Sequence, residues 1–354
     1  MSNKIRNIFF VIGLVAIVVM CFSFEVSFID LWRYITQAGY WLAAVIALWG
    51  VLYMMNALTW KVILQGSGDV PVSYWKLLKL TISGFALNYT TPVGLLGGEP
   101  YKIMEIQPYV GTQRATSSVV LFAMMHIFAH FSFWLTAIIL YIVLFLIGNL
   151  PMDALTTTLL LLMTVFCGTG IYLFVKGYEN GMVVQLINIT GHIPGLKSWS
   201  KRFAEKHKED LKKIDIQISE LHGQNRKSFW GSFMLEYIGR ILQSTEIYFM
   251  LLLFDINDSH ILLFVHSFLI LAFTSLFANL LFFLPLQLGG REGGFAMSTS
   301  QMGMTNEIGL FISIITRVRE LFWAAIGLIL MRIGTEQIRK NENIQIRKNE
   351  KQVS

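Results

Sequence analysis

Two apolar stretches of this chain are interrupted midway by proline and clustered glycines, as TPVGLLGGEPYK at residues 91–102 and LPLQLGGREGGF at residues 284–295. Proline removes a backbone donor and clashes with the turn before it, so a regular helix must stop at each of these points. With 55% hydrophobic and 14% charged residues and a mean hydropathy of +0.58, the chain is composed for a bilayer rather than for water. Hydrocarbon offers no partner to a freed N–H or C=O group. Non-helical backbone therefore survives at membrane depth only inside protein or beside a hydrated cavity, and each break predicts a buried pocket.

Windows apolar and long enough to span are roughly residues 7–24, 40–58, 113–147, 154–176, 228–254 and 306–332. The two broken stretches, roughly 75–107 and 260–304, read as re-entrant hairpins. The expected fold class is an all-α polytopic membrane protein with about six full transmembrane helices and two re-entrant hairpins. It forms one integral membrane domain over residues 1–333, followed by a polar cytoplasmic tail at 334–354. No cleavable leader pattern stands out, so the first apolar run is expected to be a retained anchor. Lys4 and Arg6, Lys61 to Arg114 around the first break, Lys176 to Lys227, and the tail beyond Arg332 carry the basic residues. By the positive-inside rule these face the cytoplasm, which puts both termini there, in the cytoplasmic membrane. Asp153 and the connection from Asp255 to His260 lack basic neighbours and fall outside.

The net charge of +6 then suits a surface near anionic lipid rather than nucleic acid. Cys21 and Cys167 both sit in apolar runs, which supports neither a disulfide framework nor a thiol metal site.

The breaks correspond. Aligning Pro92 with Pro285 places Gly97 on Gly290 and Glu99 on Glu292. Because the first hairpin enters from inside and the second from outside, the pair forms an inverted repeat, an arrangement that places a polar cargo near the midplane. The residues expected to break the helices are Pro92, Gly97, Gly98, Pro285, Gly289 and Gly290, the glycines serving either left-handed backbone with close approach to a cargo or close helix packing.

Charges at this depth need partners. Candidates to bind substrate are Asn88, Glu99, Lys102, Arg291, Glu292 and Arg317, with Glu236 and Arg240. Lys102 follows Glu99 by three positions and Arg240 follows Glu236 by four, so each pair can meet on one helix face. One reading is that such pairs only lock helices together. The other is that Lys102, Arg291 and Arg317 attract a lipid phosphate while the acids orient them or contact a cationic headgroup. Glu105, Arg319 and Glu320 also lie in these stretches and require burial or pairing. No nucleotide fingerprint or P-loop is present, and no cofactor is expected. His126 and His130, four apart, lack a nearby third ligand and are expected to be packed, hydrogen-bonded histidines rather than a metal site; His266 is read the same way.

GGEPYK after a proline-bearing half-helix, and LPLQLGGREGG followed by Gly303 and Arg317, resemble the lysylphosphatidylglycerol synthase transmembrane-domain family over roughly residues 5–333. Members are described as flippase-like, and those with synthase activity carry a separate soluble aminoacyl-transfer domain. The resemblance implies translocation of an amphipathic phospholipid or lipid-linked headgroup, anionic or phosphate-bearing, rather than aminoacyl transfer by these residues. The alternatives are a membrane-embedded transferase acting on phosphatidylglycerol or a polyprenyl phosphate with Glu99 or Glu292 as base, and a non-transporting partner of a separately encoded lipid enzyme or glycosyltransferase. Residues 179–227 mix charge and apolar side chains at helical spacing and are expected as a cytoplasmic amphipathic segment.

Overall fold

A computed structural model describes residues 28–90, 97–180, 226–254, 256–280 and 290–353, with single positions at 202, 205 and 209. The first apolar run, the amphipathic segment between residues 181 and 225 apart from those three positions, and the break residues Pro92, Pro285 and Gly289 lie outside the described residues. The described residues form helices and contain no strand. The helices are α1 (Phe28–Ala38), α2 (Tyr40–Gly66), α3 (Tyr74–Thr90), α4 (Gly98–Val110), α5 (Thr112–Leu146), α6 (Ala154–Asn180), α7 (Arg226–Leu251), α8 (His260–Leu280), α9 (Gly290–Gln301) and α10 (Asn306–Val353).

Local chemistry sets several of these boundaries. Gly148 takes φ 78° after α5, and Asn149 N donates to Leu144 O at 2.9 Å, a Schellman-type stop. Asp153 Oδ1 accepts from Thr156 N at 2.7 Å and caps the start of α6. α10 continues helically through residues 334–353, the stretch expected as a polar tail.

Helices α2, α5, α6 (over Thr156–Lys176) and α8 are long and apolar enough to cross a membrane. The protein is thus a multi-pass, membrane-embedded helical bundle. The sequence reading differs in one respect. The His260–Leu280 arm has 21 residues, about 32 Å at 1.5 Å per residue, so it is as long as a full span rather than half of one. Helices α7 and α10 bury Glu236, Glu246, Arg317, Arg319 and Glu320 on one side and expose Trp230, Met234, Ile238, Leu310, Phe322 and Ile329 on another, the division a helix between a polar seam and lipid requires.

The packing order repeats. α2 packs on α3, α3 on α4 and α4 on α5, as α7 packs on α8, α8 on α9 and α9 on α10. Across the two sets α2 meets α7, α3 meets α10 and α5 meets α8, so exchanging the two four-helix sets preserves every one of these pairings. Close approach makes the α3–α10 crossing possible: a Cβ on Gly327 would stand 2.5 Å from Ile82 O. α6 packs on α5, with Leu159, Leu161, Leu162 and Val165 exposed, as a lipid-facing helix requires.

Two apolar cores result. One holds Tyr53–Leu64 of α2, much of α3, Ala115–Phe128 of α5, Phe233 of α7 and Ala324–Met331 of α10. The other holds Val45 of α2, Phe133–Leu144 of α5, Ile247–Leu251 of α7, much of α8, and Ile308–Ile315 of α10. Three helices thus switch core at a polar stretch: α5 at His126 and His130, α7 between Glu236 and Glu246, and α10 at Arg317 to Glu320. A seam of charge lies between two layers of hydrocarbon.

Candidate functional site

The seam is built from the starts of α4 and α9 and from the middles of α2, α5, α7 and α10. Gly98 and Gly290 are the first residues of the short helices, so Glu99 and Glu292 stand in first turns. There the unpaired N–H groups and helix dipole favour negative charge, and each helix start is occupied by the chain's own carboxylate.

In the first hairpin, Asn88 of α3 donates Nδ2–H to Glu99 Oε1 at 3.1 Å and accepts the Gly98 N–H at 2.7 Å. The Lys102 ammonium lies 3.6 Å from Glu99 Oε1, 5.1 Å from the Phe122 ring and 6.0 Å from that of Trp60. Lys102 is only 5% exposed, and Gly84 makes its space, since a Cβ there would come within 2.5 Å of Lys102 Cε. Gly98 is equally constrained: its Cβ would fall 2.3 Å from Gly84 O. Of the two readings of these glycines, the described positions show close packing rather than left-handed backbone. Gly97 has φ −97°, and Gly98, Gly290, Gly293 and Gly294 are helical; closeness, not positive φ, explains Gly98.

In the second hairpin the partners come from α10. Arg291 Nη1 donates to Glu320 Oε1 at 2.6 Å, and Arg317 Nε donates to Glu292 Oε1 at 2.7 Å. Glu320 Oε1 also lies 3.4 Å from Arg319 Nη1. Arg319 then reaches α7, where its Nε and Nη2 meet the two oxygens of Glu246 at 2.9 and 3.0 Å. Trp49 of α2 donates to the same Glu246 at 2.8 Å, and its ring lies 3.7 Å from the Arg319 guanidinium carbon, a cation–π contact.

The third group lies between α5 and α7. His126 Nδ1 is 2.8 Å from Glu236 Oε2, and Arg240 Nη2 contacts His126 Nε2. Arg240 Nη1 donates to Gln243 Oε1 at 2.8 Å. Glu236 and Arg240, expected to pair directly on one helix face, instead grip the same imidazole, because a histidine from the facing helix fills the space between them. His266, on α8, lies 3.0 Å from Asp258.

Tyr89 joins the two hairpins: it sits at the end of α3, beside Asn88, and lies close to Arg317. Its ring stacks on Phe85 at 5.7 Å, and Phe85 in turn meets Tyr53 at 5.4 Å. The seam's cations, Lys102, Arg240, Arg291, Arg317 and Arg319, are matched one for one by Glu99, Glu236, Glu246, Glu292 and Glu320. The match is not saturated: Glu99 Oε2, Glu292 Oε2 and Glu320 Oε2 are buried without a hydrogen-bond partner. Such oxygens await a donor. Among the described residues no cluster of three or more His, Cys, Asp or Glu side chains could hold a metal ion.

The structure therefore gathers Asn88, Glu99 and Lys102 at one hairpin, Arg291, Glu292 and Arg317 at the other, and Glu236 with Arg240 at His126. Sequence reasoning missed Glu246, Trp49 and Tyr89. Glu246 had a signal, an acid inside a candidate span; Trp49 and Tyr89 had none, being aromatics in a chain full of them.

Residues 8–327 match the family described as the lysylphosphatidylglycerol synthase TM region. The chain belongs to that family of membrane domains, which places it in lipid-related membrane function. No curated protein and no solved structure matches it significantly.

Proposed function

We propose that this protein is a translocase that carries an anionic, phosphate-bearing lipid headgroup across the cytoplasmic membrane, through the seam, while the acyl chains stay in hydrocarbon. The observation that carries the reading is the Arg317–Glu292 pair. Arg317 is buried at 3% side-chain exposure, whereas Glu292 at the hairpin start keeps 29%. An incoming phosphate can take the place of the more accessible carboxylate on the guanidinium, whose planar fork suits phosphate oxygens. Arg291 and Lys102 offer the same exchange against Glu320 and Glu99. Each swap leaves no cation unpaired, and the displaced carboxylate is then the charge that water or a proton must balance.

The matched packing order of the two helix sets supports an inverted repeat, in which the hairpins gate the seam from opposite sides. The distribution of Lys and Arg supports cytoplasmic termini.

The test is reconstitution of the purified chain in liposomes with a fluorescent phosphatidylglycerol and a membrane-impermeant quencher. The native chain equilibrates the probe between leaflets, whereas Arg291→Ala, Glu99→Gln and Glu292→Gln abolish that movement in protein that remains monodisperse. Normal movement in all three variants ends the proposal. A second reading draws on the unpartnered oxygens of Glu99 and Glu292, which could accept a proton in a lipid-modifying transfer. Mass spectrometry separates the two, because transport leaves lipid mass unchanged.

A further inference from the structure

Glu236 sets the protonation state of the imidazole. Its carboxylate can only accept, so the proton of the neutral ring sits on Nδ1, 2.8 Å from Glu236 Oε2, and a second proton can enter only at Nε2. Arg240 stands against the ring, its Nη2 in contact with Nε2 and 3.2 Å from Nδ1. An imidazolium would bring two positive groups together at contact distance. Proton and Arg240 therefore oppose each other at this ring. Glu236, at 2% exposure, holds Nδ1 in either state and pairs with the imidazolium when it forms. The His126 side chain keeps 38% of its surface open, so the site can be reached.

Every element packed on this imidazole contributes to its charge balance. From α7 come Glu236 and Arg240, and from α4 Lys102, itself 3.6 Å from Glu99. On α5, His130 lies 4.9 Å away, ring to ring, with Nδ1 3.0 Å from His126 O. From α2, Thr59 reaches Glu236. On α8, His266 is turned to Asp258. With neutral histidines, Lys102, Arg240, Glu99 and Glu236 sum to zero. An anion entering this group alone would leave a buried negative charge, and one proton arriving with it restores neutrality.

We propose that His126 binds a proton in exchange for Arg240, so that protonation releases the Arg240 guanidinium to an anionic headgroup phosphate and couples each anion bound to one proton taken up. The inference rests on the proposed transport for its ligand class, but its readout is protons, not transport. Proton uptake adds the Nε2–H bond and breaks no covalent bond. Deprotonation returns Arg240 to the ring as the anion leaves.

The experiment mixes the purified full chain, in weakly buffered detergent solution near the imidazole range, with dioctanoyl phosphatidylglycerol, and follows both binding and a pH indicator. The native chain takes up close to one proton per lipid bound, and its affinity tightens as pH falls, by at most about tenfold per pH unit. His126→Gln, whose amide can donate to Glu236 and accept from Arg240, binds without proton uptake and with pH-independent affinity. His130→Gln keeps both responses. Lipid binding without proton uptake by the native chain overturns the inference and leaves the transport reading standing, as does proton uptake that survives in His126→Gln. No binding of the lipid at all overturns both.

Discussion

The two hairpins solve the same problem differently. Both start a short helix with glycine and an acid, but the first keeps its cation on its own helix, Lys102 three residues from Glu99. The second sends both its charges to α10, Arg291 to Glu320 and Glu292 to Arg317. The first is held by backbone closeness and by Asn88, the second by ion pairs that continue through Arg319 to Glu246 and α7. A self-contained charge pair can change its surroundings without breaking the bundle, whereas a network spread over three helices resists change until an outside ion replaces one of its members. The first hairpin is thus held locally, and the second is tied into the bundle.

The sharpest way to break the comparison is to cut the network on the second side. Arg319→Leu leaves Glu246 fully buried with no counter-ion, at a cost of about 3–5 kcal/mol, read as a large fall in the thermal midpoint of the detergent-solubilised protein. The same loss after Lys102→Met would erase the distinction. The acids come next. Glu292→Gln removes the negative charge paired with the buried Arg317 and should lower thermal stability clearly, while Glu99→Gln, whose amide can still accept from Asn88, lowers it less. Both should abolish lipid movement in the liposome assay.

Smaller effects separate the hairpins by sterics. Gly98→Ala must displace the Gly84 carbonyl and should cost about 1–3 kcal/mol. Nothing lies within 4 Å of a Cβ at Gly293, so Gly293→Ala should be tolerated and gain roughly 0.5–1 kcal/mol of helix preference; calorimetry of the two variants checks this. The smallest effect lies outside both hairpins. The hydrogen bonds from Thr156 hold the Asp153 carboxyl below its usual range. Its contribution to the start of α6 is therefore present above the ordinary carboxylate range and lost as pH falls through the lowered value. Asp153→Asn should flatten that acid-side slope of the melting temperature and change nothing at the seam.

Much of this was legible in the residues. The long helix over 112–146 and the nearness of Lys102 to Glu99 follow from apolar run length and helical spacing, which are local properties. The rest depends on which helix lies against which. Arg319 finds Glu246, 73 positions away, and Trp49, far earlier in the chain, completes the cluster. Spacing within one helix could not reveal either. It misled for Glu236 and Arg240, where the helical interval was right but the intruding His126 belongs to α5. The seam itself was invisible as a unit, because it appears only when the polar stretches of α5, α7 and α10 fall at the same level between two apolar cores.

The central claim is that both hairpin starts converge on this one seam, with Tyr89 of the first against the Arg317–Glu292 pair of the second. Cysteines placed by Tyr89→Cys and Glu292→Cys, in a chain whose native cysteines are replaced by alanine, test it in native membranes with a short bismaleimide. Gly66→Cys with Ser228→Cys serves as a reference pair, since a Cβ at Gly66 lies 2.8 Å from Ser228 Oγ. Efficient linkage of both pairs is the predicted result; linkage of the reference pair alone would contradict the convergence of the hairpins.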